Sequence, residues 1–371
     1  MKKSLLALAV LGAFAGVAQA QTGVTIYGSF DAGVRNQRDQ NAGGNSKTTM
    51  SSIGTYNSNR LGFKGVEDLG GGLNAHFTLE QGFNSGTGQL DTATTTNKLF
   101  NRSAFVGLGG QWGSIDLGRQ YTVAFKTVGA YDPFNYKFTG IIPLVSPGVS
   151  AGPRTDNNIQ YTGTFGPLTA RAEYSLAERV GGGSDGNHAA VGGTYANGPF
   201  SVGAAYTARK PNVTATADAP ANFQDNKHWT VGSAFKFGAA RVAAGYAQES
   251  QSLAIGGKVS QKNAWIGGSY DITPAMGLTA AYYHTKVDAN AFGVGNTAAG
   301  KRGLLIVGAT YALSKRTNFY ADIDFAKYKD GLETPLTAAT ASQAITAQSS
   351  LRSAPGQDRL LGVSVGINHL F

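Results

Sequence analysis

From residue 24 onward the chain repeats one pattern, stretches of roughly ten residues in which apolar side chains alternate with small or polar ones. Successive side chains of a strand point to opposite faces, so a period of two predicts strands with one apolar and one polar side. Sixteen such stretches can be read, at residues 24–35, 59–66, 73–83, 99–108, 113–120, 157–165, 167–176, 188–196, 200–208, 228–237, 240–248, 262–270, 276–286, 301–311, 317–327 and 359–371. Short turn-forming segments such as Gly166-Pro167, Asn197-Gly198-Pro199 and Gly238-Ala239 join them into seven hairpins. Between hairpins lie long polar loops, including Asn36 to Lys47, Pro211 to Lys227 and Asp330 to Asp358, rich in Ser, Thr, Asn, Ala and Gly.

Alternation assigns the faces. In the segment from Ala240 to Tyr246, the residues Ala240, Val242, Ala244 and Tyr246 share one side and Arg241 takes the other; in the segment from Leu168 to Tyr174, Thr169, Arg171 and Glu173 share a side. A charge facing lipid near the midplane costs about 2 to 4 kcal/mol, so the charged faces belong inside, against water. The terminal stretch Arg359 to Phe371 puts Leu361, Val363, Val365, Ile367, His369 and Phe371 on its apolar side and stops on an aromatic residue. An even strand number, short turns on one side and long loops on the other predict an all-β fold. The specific form is a closed 16-stranded antiparallel transmembrane β-barrel with short periplasmic turns and long extracellular loops. Closure is required because hydrocarbon offers no partner to an open sheet edge, so the first and last strands should pair. Sixteen strands leave an aqueous channel.

The start of the chain says how such a barrel could reach a membrane. Lys2 and Lys3 precede an apolar run from Leu5 to Val17 and a small-x-small site at Ala18-Gln19-Ala20, the form of a secretory signal peptide over residues 1–20. The run falls short of the roughly 20 residues that span hydrocarbon as a helix. Residues 21–371 would then be the barrel. Composition agrees: 52 Gly with 16 Tyr and 19 Phe but 11 Pro is neither collagen-like nor proline-rich disorder, and the absence of Cys removes disulfides and thiol chemistry. The formal charge of +9 becomes +7 without Lys2 and Lys3, an excess that favours anions. Lys and Arg are dispersed rather than gathered in a run, which speaks against nucleic acid as a partner.

One loop differs from the rest. Residues 121–153 carry Tyr131, Phe134, Tyr136, Phe138, Ile141 and Ile142, an apolar content that the other loops lack. A loop of that length in a compact domain is usually functional. Folded into the lumen, it would rest its aromatics on the inner wall and turn Asp132 toward wall arginines, forming a constriction; the alternative is an extracellular loop like the others. Other chemistry finds little support. Glu80 and Glu173 read better as lumen charges than as a glycosidase pair, and the five histidines show no metal-ligand spacing. Asp322 and Asp324 share a face, but calcium wants six to eight oxygens. No nucleophile, phosphate-loop or dinucleotide motif is present, so neither an enzymatic role nor a cofactor is expected.

Gly23 to Val34 (GVTIYGSFDAGV), Asn59 to Asn84 (NRLGFKGVEDLGGGLNAHFTLEQGFN) and Phe100 to Thr122 (FNRSAFVGLGGQWGSIDLGRQYT), with Asn157 to Gly166 and the final phenylalanine as weaker matches, carry a resemblance to a known family. The chain resembles the trimeric general-diffusion porins of Gram-negative outer membranes, of beta-proteobacterial type. That resemblance implies a third loop folded into the pore, a homotrimer in outer-membrane lipid and lipopolysaccharide, and passive diffusion of ions and small hydrophilic solutes with an anion-leaning preference. It also implies that Phe371 forms part of the signal read by the barrel assembly machinery, although Asn368 stands where an arginine is common. Arg60, Arg102 and Arg154 look like the basic side of the constriction; parity adds Lys64 and Arg171, with Glu80, Asp132 and Glu173 as the acidic side. Arg102 shares parity with Val106 and Leu108, which requires either a bulge or a subunit contact. The rival readings are a substrate-selective channel, a barrel adhesin or enzyme, and a soluble all-β binding protein.

Overall fold

The computed structural model describes residues 23–50, 56–90, 98–138, 152–178, 180, 186–210, 223–253, 258–289, 298–333, 353–354 and 356–371. The signal-peptide reading for residues 1–20, Ile141 and Ile142 therefore lie outside the described residues. The strands are β1 (Gly23–Gln37), β2 (Lys47–Met50), β3 (Arg60–Gly70), β4 (Leu73–Gly82), β5 (Ser103–Gly110), β6 (Gly113–Tyr121), β7 (Arg154–Phe165), β8 (Leu168–Ser175) and β9 (His188–Asn197). They continue with β10 (Phe200–Arg209), β11 (Phe223–Phe237), β12 (Ala240–Leu253), β13 (Lys258–Asp271), β14 (Met276–Val287), β15 (Gly300–Ala312), β16 (Thr317–Asp330) and β17 (Arg359–Leu370). All sixteen expected strands form. The addition is β2, a four-residue strand in the first long loop that pairs with the end of β1 and is too short for alternation to reveal.

Every barrel strand pairs antiparallel with its neighbours, and β1 closes the ring by pairing with both β17 and β3. The final residue takes part: Gly28 N donates to Phe371 O at 3.0 Å and Phe371 N to Gly28 O at 3.2 Å. Face assignment follows the sequence pattern. Along β16, Phe319, Ile323 and Phe325 are 43–49% exposed on the outside while Tyr320, Asp322, Asp324, Ala326 and Tyr328 are buried inside. A soluble protein would not leave such a continuous apolar surface uncovered. Aromatic side chains band it at both levels, Phe165, Phe235, Tyr270 and Tyr311 toward the short turns and Tyr174, Tyr206 and Trp229 toward the long loops. Such girdles mark the two membrane interfaces.

The inner wall at the closure seam is polar and tightly paired. Arg35 on β1 reaches across β17 to β16: Nη1 donates to Ser364 Oγ at 2.9 Å, Nη2 donates to Asp324 Oδ1 at 3.0 Å, and Nη1 lies 2.8 Å from Asp324 Oδ2 and 3.8 Å from Asp322 Oδ2. Asn368 stands nearby in the same kind of setting, accepting from Ser29 Oγ at 2.9 Å and Asn57 Nδ2 at 3.2 Å and donating to Asn318 Oδ1 at 3.3 Å. Asp322 and Asp324 thus hold the seam through an arginine. Removing one member of a buried ion pair typically costs about 3 to 5 kcal/mol. Arg35→Ala is expected to lower barrel stability by about 3 kcal/mol, read as a lower temperature of unfolding on semi-native gels, and Asp322→Asn with Asp324→Asn on that background should recover most of the loss. Equal stability of Arg35→Ala and wild type would show that the seam does not depend on this pairing.

Candidate pore constriction

Between β6 and β7 the chain turns inward. Thr122 caps a short helix α1 (Val123–Val128), its Oγ1 accepting from Phe125 N at 3.3 Å. Glu173 on β8 adds a carboxylate at the same helix start, where Oε1 accepts from Val123 N at 3.0 Å. A single 3₁₀ turn (Gly129–Tyr131) follows, and the segment then runs around the inner wall instead of out into solvent. It can lie flat because the wall beneath it is glycine: a Cβ on Gly203, Gly232 or Gly267 would come within 2.8 Å of Tyr131 Cε2, 2.6 Å of Tyr131 Cβ and 2.7 Å of Pro133 Cγ respectively. Trp265 Nε1 on β13 donates to Tyr131 O at 2.8 Å, and Tyr283 on β14 donates its hydroxyl to Asp132 Oδ1 at 2.5 Å. Farther on, Phe134 approaches Gly308 of β15, and Phe138 meets Tyr56 and Tyr320 with ring centroids 5.4 and 6.2 Å away. The described part of the loop therefore covers the wall from β8 to β16.

Four of the five anticipated basic residues stand instead on the arc from β1 to β7. Arg60 Nη2 donates to Asn57 Oδ1 at 3.2 Å, and Lys64 Nζ lies 5.3 Å from the Tyr27 ring centroid. Arg102 Nε donates to Glu80 Oε1 at 2.6 Å and its Nη2 to the Tyr121 oxygen at 2.5 Å, while Arg154 Nη2 donates to the same oxygen at 2.8 Å. Two guanidiniums thus share one phenol oxygen. The Arg154 guanidinium lies 4.5 Å from the centre of the Tyr121 ring, which stacks on Phe125 at 4.4 Å, which stacks on Tyr136 at 4.2 Å. The result is a column that ties a wall arginine to the docked loop through dispersion and cation–π contacts.

The anticipated acidic side is different. Asp132 does not face the lumen or Arg60, Arg102 and Arg154: it is fully buried under the loop, held by Tyr283 and by Tyr136 N at 2.8 Å, with Arg241 as its wall cation. Glu173 is buried as well, spent on Val123 N, Asn158 Nδ2 and Gln160 Nε2. Glu80 is paired with Arg102 and accepts from Tyr27 at 3.1 Å. The carboxylates anchor the loop and the arginines, and that is why they are not left opposite an open passage. Arg102 needs no bulge to turn inward. The strand begins at Ser103, four residues later than expected, so strand parity does not govern Arg102 and its side chain turns inward. Arg171 lies apart from the other four, inward on β8. Phe125, Tyr121, Tyr283, Arg241 and the wall glycines were not singled out by the sequence as parts of a constriction; only Thr122 three residues ahead of Phe125 offered a signal, a helix cap inside an apparent loop.

A model of the family described as Gram-negative porin matches residues 7–331. The chain belongs to that family. Outer membrane porin protein 32 of Delftia acidovorans is 32% identical over 392 aligned residues that cover all of both chains. An outer membrane porin protein of Bordetella pertussis is 32% identical over 373, covering 88% of this chain and 94% of the other. Among solved structures, an anion-selective porin from Comamonas acidovorans superposes with a TM-score of 0.74 at 25% identity, covering 95% of this chain and all of that one. A trimer form of an outer membrane protein from Vibrio cholerae shares the fold, with a TM-score of 0.66 at 14% identity. This porin is a channel-forming barrel of the Gram-negative outer membrane.

Two outcomes follow for the porin's loop. Phe125→Ala removes the middle of the aromatic column without changing charge; it is expected to weaken docking of the loop by about 0.5 to 1.5 kcal/mol for each stacked pair lost, read as faster deuterium exchange of residues 123–138, with Phe125→Tyr restoring it. Unchanged exchange in Phe125→Ala would separate the column from the docking of the loop. Docking should also depend on pH. Burial pushes the Asp132 carboxyl up to about 6, and burial brings the Lys126 and Lys137 ammoniums down to about 8. A raised carboxyl favours the docked state below its unfolded value and loses that support as pH rises through 6; depressed lysines lose theirs as pH falls through 8. Docking is thus weakest between those values. Deuterium exchange of residues 123–138, corrected for intrinsic rates, should slow on either side of that window. Asp132→Asn, with Oδ1 on the Tyr136 amide and Nδ2 donating to Tyr283, should abolish the acid limb alone.

Proposed function

We propose that this porin conducts ions and small hydrophilic solutes by passive diffusion through a constriction set by residues 121–153, and that it prefers anions. The observation that carries the reading is the asymmetry of the bore: the docked loop takes up Asp132 and Glu173, Arg102 occupies Glu80, and Arg60, Lys64 and Arg154 stand along the arc from β1 to β7 with no carboxylate ion-paired to them among the described residues. An excess of one sign along a wall with low-dielectric surroundings raises the local concentration of the opposite ion. The structurally similar Comamonas acidovorans porin is anion-selective, and this reading extends that preference to the present chain.

The same reading takes residues 1–20 as a signal peptide, Phe371 as the assembly signal for the barrel machinery, and the exposed apolar band as the surface that meets lipid, lipopolysaccharide and two further copies in a homotrimer. The trimer form of the Vibrio cholerae protein of the same fold supports that assembly. A barrel enzyme or adhesin would not need a lumen arc of this charge. Charge reversal at both Arg60 and Arg154 (Arg60→Glu with Arg154→Glu) is expected to move zero-current potentials in a salt gradient toward the cation value in planar bilayers. Selectivity that stays where it was would remove these two arginines from the mechanism, and absence of single-channel conductance in the wild type would overturn the diffusion reading itself.

A further inference from the structure

We infer that the outer face of β13 to β16, at its long-loop end, is a binding site for the headgroup of a lipid that carries more than one phosphate. The inference rests on the reading of the exposed apolar band as the surface that meets lipid, and it gives that surface a headgroup site. Lys262 on β13 stands directly opposite Lys286 on β14, Lys286 opposite Lys301 on β15, and Lys301 opposite Lys329 on β16. All four point outward, because their sequence neighbours Gln261, Asn263, Thr285, Arg302 and Tyr328 are buried on the lumen side. Lys286, Lys301 and Lys329 are exposed, and Lys262 is half-buried. Side chains directly opposite on antiparallel strands have Cβ atoms about 5 Å apart, and like charges so placed destabilise the sheet. A row of four calls for a counter-charge.

The barrel supplies little of it. Among the described residues none of the four lysines is ion-paired to a carboxylate. Asp288, two residues beyond Lys286 on the same side, accepts instead from Ser260 N at 3.0 Å and from Ser260 Oγ at 2.5 Å. On the next rung Lys327 is paired with Asp358, and its register partner Arg359 lies 3.8 Å from Asp39. The surroundings say what kind of anion fits. The row begins beside the aromatic band at the long-loop level, since Trp229 is the register partner of Gln248 and Gln248 of Lys262. Four residues farther toward the short turns on the same face, Ile266, Tyr282, Leu305 and Phe325 form a second row of register partners, 43–58% exposed. The two rows are about 13 Å apart along the strands, and the lysine row spans three interstrand steps, about 14 Å, more than a single phosphate covers. A free phosphate would meet the lysines alone, whereas a lipid meets both rows, phosphates on the ammonium groups and acyl chains on the apolar side chains. With ammonium groups in place, no divalent cation is needed to bridge the phosphates to the barrel.

Native mass spectrometry of the refolded porin in detergent with EDTA, titrated with diphosphoryl lipid A or monophosphoryl lipid A, tests the site. The diphosphoryl form is expected to half-saturate at a concentration about fivefold or more below that of the monophosphoryl form, and inorganic pyrophosphate at equal concentration to leave the bound fraction unchanged. Lys286→Gln with Lys301→Gln removes the middle of the row and should raise the half-saturating concentration about tenfold or more. In lipid-free detergent the same variant should unfold at a higher temperature than wild type, because the opposed charges are gone. Lys315→Gln, a charge loss in a short turn at the other end of the barrel, should leave both measurements unchanged. Equal affinity for the two lipids, displacement by pyrophosphate, loss of binding in EDTA, or wild-type affinity in the double variant overturns the site. Entry into phosphatidylcholine vesicles without preference for the diphosphorylated lipid would sink this inference and leave the lipid-facing reading standing, whereas failure to enter vesicles would sink both.

Discussion

Backbone hydrogen bonding in the absence of water is the constraint from which the rest of this molecule follows. In hydrocarbon an unpaired N–H or C=O costs several kcal/mol, so a sheet can cross only as a ring. The ring closes through β1, which divides itself between β3 at its start and β17 at its end, and the chain's last residue is bonded into that junction. Closure at sixteen strands produces a bore wider than its own side chains can fill, and a wide bore needs a partition to be selective.

The partition is a loop whose passage into the lumen is made compatible with water loss by pairing its polar groups to the wall. Thr122 and Glu173 satisfy the helix start, Trp265 takes the carbonyl of Tyr131, and Tyr283 takes Asp132. Glycines on the facing strands let the loop backbone approach closely, and aromatic rings fill the remaining space. The loop consumes negative charge as it docks. Positive charge on the opposite arc survives because Tyr121 orders Arg102 and Arg154 through its oxygen and its ring, and of these two Arg102 is paired with a carboxylate while Arg154 has none among the described residues.

Order at the constriction is therefore borrowed from the barrel. α1 has six residues, too few to be stable alone, and its burial against β8 to β11 is what holds it. Burial of Asp132, Lys126 and Lys137 in the docked loop makes its docking a function of pH.

The sequence by itself determined what depends on neighbouring residues: strand number, the inward or outward face of Arg60, Lys64, Arg171, Glu173 and Arg241, the loop of distinct composition and the excess of positive charge. Period two is a local property, and lipid on one side with water on the other forces the chain to display it. Tertiary structure decided everything that depends on which strands stand opposite one another around the ring. Arg102 could not be oriented from parity because its strand starts one residue after it. Asp132 carries the composition of a pore charge and the position of a tether, since Tyr283 lies 151 residues farther on and no local pattern announces it. The column from Arg154 to Tyr136 likewise draws on the end of one strand, the start of the next and the loop between them, and only closure of the barrel brings the faces together that give these residues their roles.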